Sequence, residues 1–65
     1  MSYQVYDLDL NHIAFDEEIF KTKEEAVERI LDFFLPDWEE EIEDVRKTLW
    51  KTNSFNNMEI REAEE

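Results

Sequence analysis

Residues 22–50 read TKEEAVERILDFFLPDWEEEIEDVRKTLW, a span with two helix-start signals and a proline between them. Thr22, Lys23, Glu24 and Glu25 have the Ser/Thr-x-x-Glu form of a capping box, with Thr22 as N-cap directly before an apolar run. At about 100° per residue, Ala26, Val27, Ile30, Leu31, Phe33 and Phe34 fall on one wide face, and Glu24, Glu25, Glu28 and Asp32 fall opposite. A stripe this wide predicts burial against two neighbours. Pro36 cannot donate a backbone hydrogen bond and disfavours the α region at Leu35, so the first helix is expected to end there. Asp37 with Glu40 repeats the capping pattern and opens a second helix to about Trp50. Its apolar stripe is Trp38, Ile42, Val45 and Leu49, while Glu39, Glu40, Glu43 and Asp44 face away. Trp50 lies roughly a third of a turn off that stripe, at the edge of the buried face.

N-terminal to this helical half, Tyr6, Leu8 and Leu10 alternate with Asp7, Asp9 and Asn11, the period of a half-buried strand. The next large apolar residues, Ile13 and Phe15, have the opposite parity, which calls for a turn or bulge near Asn11 and His12. Asp16 and Glu17 are placed to reverse the chain into a short return strand at Ile19 and Phe20. The chain has no glycine to supply positive φ, so its turns are expected to be strained or loose. C-terminal to the helices, residues 52–57 are rich in turn formers, and Met58 with Ile60 fits a short last strand beside the first. The expected architecture is α+β: an N-terminal antiparallel hairpin or meander, two packed amphipathic helices, and a short C-terminal strand. Residues 1–60 make one domain, and residues 61–65, one alanine among charges, are expected as a loose tail.

Charge is concentrated in the same region. Thirteen carboxylates lie between Asp16 and Asp44 against Lys21, Lys23 and Arg29, so this stretch carries −10 of the net −12. Such a field repels nucleic acid and anionic membrane and attracts basic surfaces within a Debye length of about 8 Å. Five Phe, two Trp and two Tyr are more than a disordered acidic tail carries. There is no cysteine, which removes thiol catalysis, thiolate metal sites and disulfides together. With only His12 besides, a dimer is the remaining way to reinforce so small a core. No basic segment leads into an apolar run at the N-terminus, and no stretch reaches the roughly 18 apolar residues of a membrane span, so a cytoplasmic location is expected.

Asp7, Asp9, Asn11 and Glu18 match positions 1, 3, 5 and 12 of a calcium-binding EF-hand loop, but His12 stands where glycine makes the sharp turn. The alternating strand explains the same spacing without metal. His12 has no visible orienter or nucleophile, and the only serines, Ser2 and Ser54, lie in a terminus and a polar loop. No enzymatic activity and no cofactor are expected.

Part of the carboxylate excess has a structural cause, since acids in the first turn and bases in the last complement the helix dipole, as from Glu39 to Lys51. Glu43 and Asp44 lie beyond that first turn beside like charges, and such i, i+4 pairs are mutually destabilising. The expectation is a binding module whose acidic faces, Glu24, Glu25, Glu28 and Asp32 with Glu39, Glu40, Glu43 and Asp44, engage a basic protein surface, one form being a nucleic-acid mimic or inhibitor. In size and composition the chain resembles small acidic accessory proteins of phages and mobile elements, a resemblance of type that carries over no residue. The alternative is a self-associating protein whose aromatic C-terminal half, with Trp50 and Phe55 exposed, forms a homodimer while charge maintains solubility. A calcium loop over residues 7–18 is the third reading.

Overall fold

In the computed structural model, which describes residues 1–63, the Thr22 hydroxyl accepts a hydrogen bond from the Glu25 backbone N–H at 3.2 Å. The Glu25 carboxylate in turn accepts from the Lys21 N–H at 3.3 Å. The first bond satisfies an N–H group that a helix start leaves without an intrahelical partner, the second ties the residue before the N-cap to the first turn, and together they begin α1 (Lys23–Trp38). Ala26, Val27, Ile30, Leu31 and Phe34 are buried, as the periodicity requires. Phe33 is a correction, being 52% exposed. It sits at the margin of the stripe, where its ring meets Phe15 at 5.9 Å and Phe34 at 5.2 Å, both edge-on.

The helix does not stop before Pro36. α1 continues to Trp38, and Glu39–Glu41 form a 3-10 turn ahead of α2 (Ile42–Thr52). Asp37 therefore lies inside α1 and does not cap a second helix. The side chains supply the reason, because Phe34 and Trp38, one turn apart, both close edge-to-face on Phe55 at 5.3 and 5.1 Å. Helical geometry through Pro36 holds those two rings on one face. The bond lost is one near the helix end, and the carbonyl left without it belongs to exposed Asp32. α2 buries Val45 and Leu49, with Trp38 and Ile42 half-buried against them. It ends at Asn53, whose N–H still donates to the Leu49 carbonyl at 2.9 Å while its left-handed φ of 63° turns the chain out of the helix. Asparagine takes the place glycine commonly fills.

The four strands β1 (Ser2–Asp7), β2 (His12–Ile13), β3 (Ser54–Phe55) and β4 (Met58–Ala63) form an antiparallel sheet in the order β2-β1-β4-β3. The α+β architecture and the C-terminal strand beside the first agree with the sequence reading. The first strand does not run from Tyr6 to Asn11: it ends at Asp7, and Leu8 and Leu10 are exposed turn residues. The Asp7 carboxylate explains this, since Oδ1 accepts from the N–H groups of Asp9 at 2.9 Å and Leu10 at 3.1 Å and folds the backbone over itself. Asn11, with φ 60°, absorbs the expected parity slip. Of the expected return strand only Phe20 pairs, exchanging two 2.8 Å bonds with Tyr3, while Ile19 is exposed. Arg61 to Ala63, expected in the loose tail, are strand residues paired with β1. Glu64 and Glu65 lie outside the described residues.

Both helices lie on one face of the sheet. Val5 of β1 and Met58 and Ile60 of β4 meet Phe20, Val27, Ile30, Leu31, Val45 and Leu49 there, forming one core. Among the described residues, no helix is long and apolar enough to cross a membrane.

Candidate functional site

The side-chain ammonium of Lys23, at the start of α1, donates to the Trp50 carbonyl near the end of α2 at 2.9 Å and lies 4.9 Å from the Trp50 ring centroid. This contact aligns the two helices antiparallel, so their outward faces form one layer. Glu24, Glu25, Glu28 and Asp32 of α1 are all exposed on it, as are Glu39, Glu40, Glu43 and Asp44. The fold therefore brings both predicted acidic faces to the same side of the molecule.

Arg46 divides that layer. Its guanidinium bonds Glu43 on its own helix, with Nε to Oε1 at 3.2 Å, and reaches across to Glu28 on α1. The Glu43 bonds, followed by the nearby Glu28 charge, hold the Arg46 pKa above its ordinary value. Glu28 and Glu43 thus serve as a clasp between helices. Glu24, Asp32, Glu39, Glu40 and Asp44 make no side-chain ion pair among the described residues. Of the eight predicted residues these are left over after capping and clasping: Glu24 and Asp32 stand on α1, Asp44 on α2, and Glu39 and Glu40 on the 3-10 turn that joins them.

A further carboxylate is brought in from outside the helices. Glu18 faces α1 and pairs with Arg29 at 3.8 Å, and Arg29 also stacks 4.2 Å from the Phe15 ring centroid. Between them lies a shallow depression of about 380 Å³ with Phe20 at its floor and Glu24, Glu28 and Asp32 on its wall. Glu18 owes its position to a tight turn at Phe15–Glu17 with φ of 56°, 55° and 64°, three consecutive left-handed residues without a glycine. Each such residue costs roughly 1–2 kcal/mol relative to right-handed backbone. No sequence signal marks this turn as left-handed.

The aromatic pair is not brought together. Trp50 is 44% exposed, with one face under Lys23. Phe55 is half-buried between Phe34 and Trp38, because β3 directs it back onto the core. They do not form one exposed aromatic surface.

The calcium-loop positions also disperse. Asp7 is occupied by the Asp9 and Leu10 N–H groups and by the Asn57 amide at 3.1 Å. The Leu10 bond above all, then those from Asn57 and Asp9, hold the Asp7 pKa below its ordinary value of 3.8. Asn11 Oδ1 accepts from the Tyr6 hydroxyl at 3.3 Å, and Glu18 pairs with Arg29. No three acid or histidine side chains gather as a metal-binding group among the described residues. His12, exposed, lies 2.9 Å from the Ile13 carbonyl through Nδ1.

The sheet face opposite the helices was not anticipated from the sequence. Gln4, Tyr6, Ile13, Glu59 and Arg61 lie there, and Arg61 stacks 4.0 Å from the Tyr6 ring centroid. No family model matches the chain, and comparison with curated proteins and with solved structures found no match.

Proposed function

We propose that this chain is a non-enzymatic, cytoplasmic binding module whose acidic helical layer docks on a basic protein surface, standing in for the phosphates of a nucleic acid. The observation that carries this reading is the set of exposed carboxylates, Glu24, Asp32, Glu39, Glu40 and Asp44, held without ion pairs on two antiparallel helices clasped by Arg46 and on the 3-10 turn that joins them. Fixed carboxylates lose less conformational entropy on docking than the same charges on a flexible segment. They also accelerate encounter with a positively charged cleft.

The test compares wild type with a variant in which Glu24, Asp32, Glu39, Glu40 and Asp44 are changed to the corresponding amides. Both are used as bait in host lysate at low and high salt, and duplex DNA is added as competitor. Partners retained by wild type at low salt, released by DNA and absent from the variant support the reading. A folded variant that keeps every partner sinks it.

A further inference from the structure

Every arginine of the chain is ion-paired: Arg29 with Glu18, Arg46 with Glu28 and Glu43, and Arg61 with Glu59. Among the described residues no lysine is. The four lysines, Lys21, Lys23, Lys47 and Lys51, all stand at one end of the helical layer, where the start of α1 meets the end of α2. Lys23 is committed to the Trp50 carbonyl and ring, which fixes its charge there. Lys47 follows Glu43 by one turn, a spacing that permits a pair, but Glu43 bonds Arg46 instead. Lys47 and Lys51 stay exposed, one turn apart on the outward face of α2.

The other end of the layer carries the opposite charge. From Asp32 to Val45 the chain holds no base. Asp32, Asp37, Glu39, Glu40, Glu41 and Asp44 are exposed around the turn between the helices, without ion pairs among the described residues. At 1.5 Å per residue, the sixteen residues of α1 set its two ends about 24 Å apart. That is about three Debye lengths, so each end acts separately on whatever approaches it. The helix dipole accounts for Lys47 and Lys51 in the second half of α2. It does not account for Lys21 and Lys23, which stand at the start of α1, where the dipole favours acids.

We infer that the lysine end sets the orientation in which the layer docks: the Glu39–Glu41 turn leads into the basic surface, and Lys47 and Lys51 exclude the reversed approach. The inference rests on the acidic layer being the dock proposed above. A cationic surface arriving at the turn meets carboxylates alone. At the other end it meets unpaired ammonium groups beside Glu24 and Glu25. Like charges brought together across an interface suppress that arrangement, and complementary ones fix the register. The same separation of charge turns the molecule during encounter, so that the turn faces a positively charged cleft before contact.

Trp38 and Trp50 are the only tryptophans and mark the two ends, Trp38 closing α1 beside the turn and Trp50 lying under Lys23. Their two indole N–H signals therefore report which end is occupied. The test titrates the full chain with an oligo-arginine peptide carrying a nitroxide spin label and reads the paramagnetic broadening of both signals. In wild type, Trp38 is expected to broaden several-fold more than Trp50. Lys47→Glu with Lys51→Glu is expected to raise the broadening at Trp50 several-fold, while Trp38 in the same sample reports that the acidic turn is intact. No broadening at Trp38, equal broadening of both signals in wild type, or a Trp50 signal that the double variant leaves unchanged overturns the inference. Equal broadening removes the orientation and leaves the acidic layer as a dock, so the two readings fail separately.

Discussion

Asn57 Nδ2 donates to Asp7 Oδ1 at 3.1 Å, joining the turn after β1 to the turn before β4 across fifty residues of sequence. Both turns need this carboxylate, which also accepts from the Asp9 and Leu10 N–H groups. Its folded-state pKa lies below the ordinary 3.8. A carboxyl whose pKa is depressed on folding adds stability that is complete above the unfolded value and is lost as pH falls through the folded one. The expected outcome is a stability difference between wild type and Asp7→Asn that is constant above about pH 5 and shrinks toward zero on acidification below 3.8. Urea unfolding of both proteins from pH 7 to pH 2 checks it. Working with the difference matters because the chain carries 19 acidic residues, and protonating those that repel one another shifts both curves alike.

Phe55 is the ring on which Phe34 and Trp38 close. Phe55→Ala is expected to cost about 2–3 kcal/mol, toward the lower end of aromatic truncations because the side chain is only half-buried. The same variant is expected to lose helicity near Pro36, since the contacts holding the last turn of α1 are gone. Chemical denaturation gives the first quantity, and amide exchange at Asp37 and Trp38 gives the second.

Pro36→Ala restores a helix N–H opposite the Asp32 carbonyl. The gain from helix propensity exceeds the loss of proline's restriction on the unfolded chain, so a net stabilisation of about 1–2 kcal/mol is expected. A lower urea midpoint for the variant would mean that the proline itself shapes the bend into Glu39–Glu41.

Arg46→Gln removes the cation shared by Glu28 and Glu43 and leaves two carboxylates facing each other across the helix pair. Destabilisation is expected to be larger at low salt than near 1 M, where charges more than about 3 Å apart are screened. Equal losses at both salt concentrations would assign the effect to packing of the arginine stem.

Asp16→Gly relieves one left-handed residue of the Phe15–Glu17 turn. Relief of about 1–2 kcal/mol against an entropic cost of about 0.5–1 kcal/mol for glycine predicts a net gain of up to about 1.5 kcal/mol, readable as a higher unfolding midpoint.

Local chemistry made several elements legible. The Thr22 cap, the buried stripe from Ala26 to Phe34 and the stripe through Ile42, Val45 and Leu49 rest on contacts within a turn or two of helix, which spacing reveals directly. The acidic faces follow by the same geometry, because a residue opposite a buried stripe is exposed. The strand at Met58 and Ile60 was readable from its alternation, and so was its place beside the first strand. Alternation over Tyr6 to Asn11 pointed to the wrong pairing segment because Asp7 bends its own backbone, a competition between side chain and ladder that spacing alone does not resolve.

By itself, then, the sequence determined an α+β chain with two amphipathic helices and a charge excess concentrated between Asp16 and Asp44. The tertiary structure decided what those parts meet. It carried α1 through Pro36 because Phe55, remote in sequence, offered a surface to two rings. It spent Glu28 of α1 on Arg46 of α2, drew Phe55 off the surface, and left Tyr6, Ile13 and Arg61 on an uncovered sheet face. Each of these outcomes depends on contacts between segments far apart in the chain. Their free energy enters only when the helices settle on one side of the sheet, and nothing in local spacing selects that side.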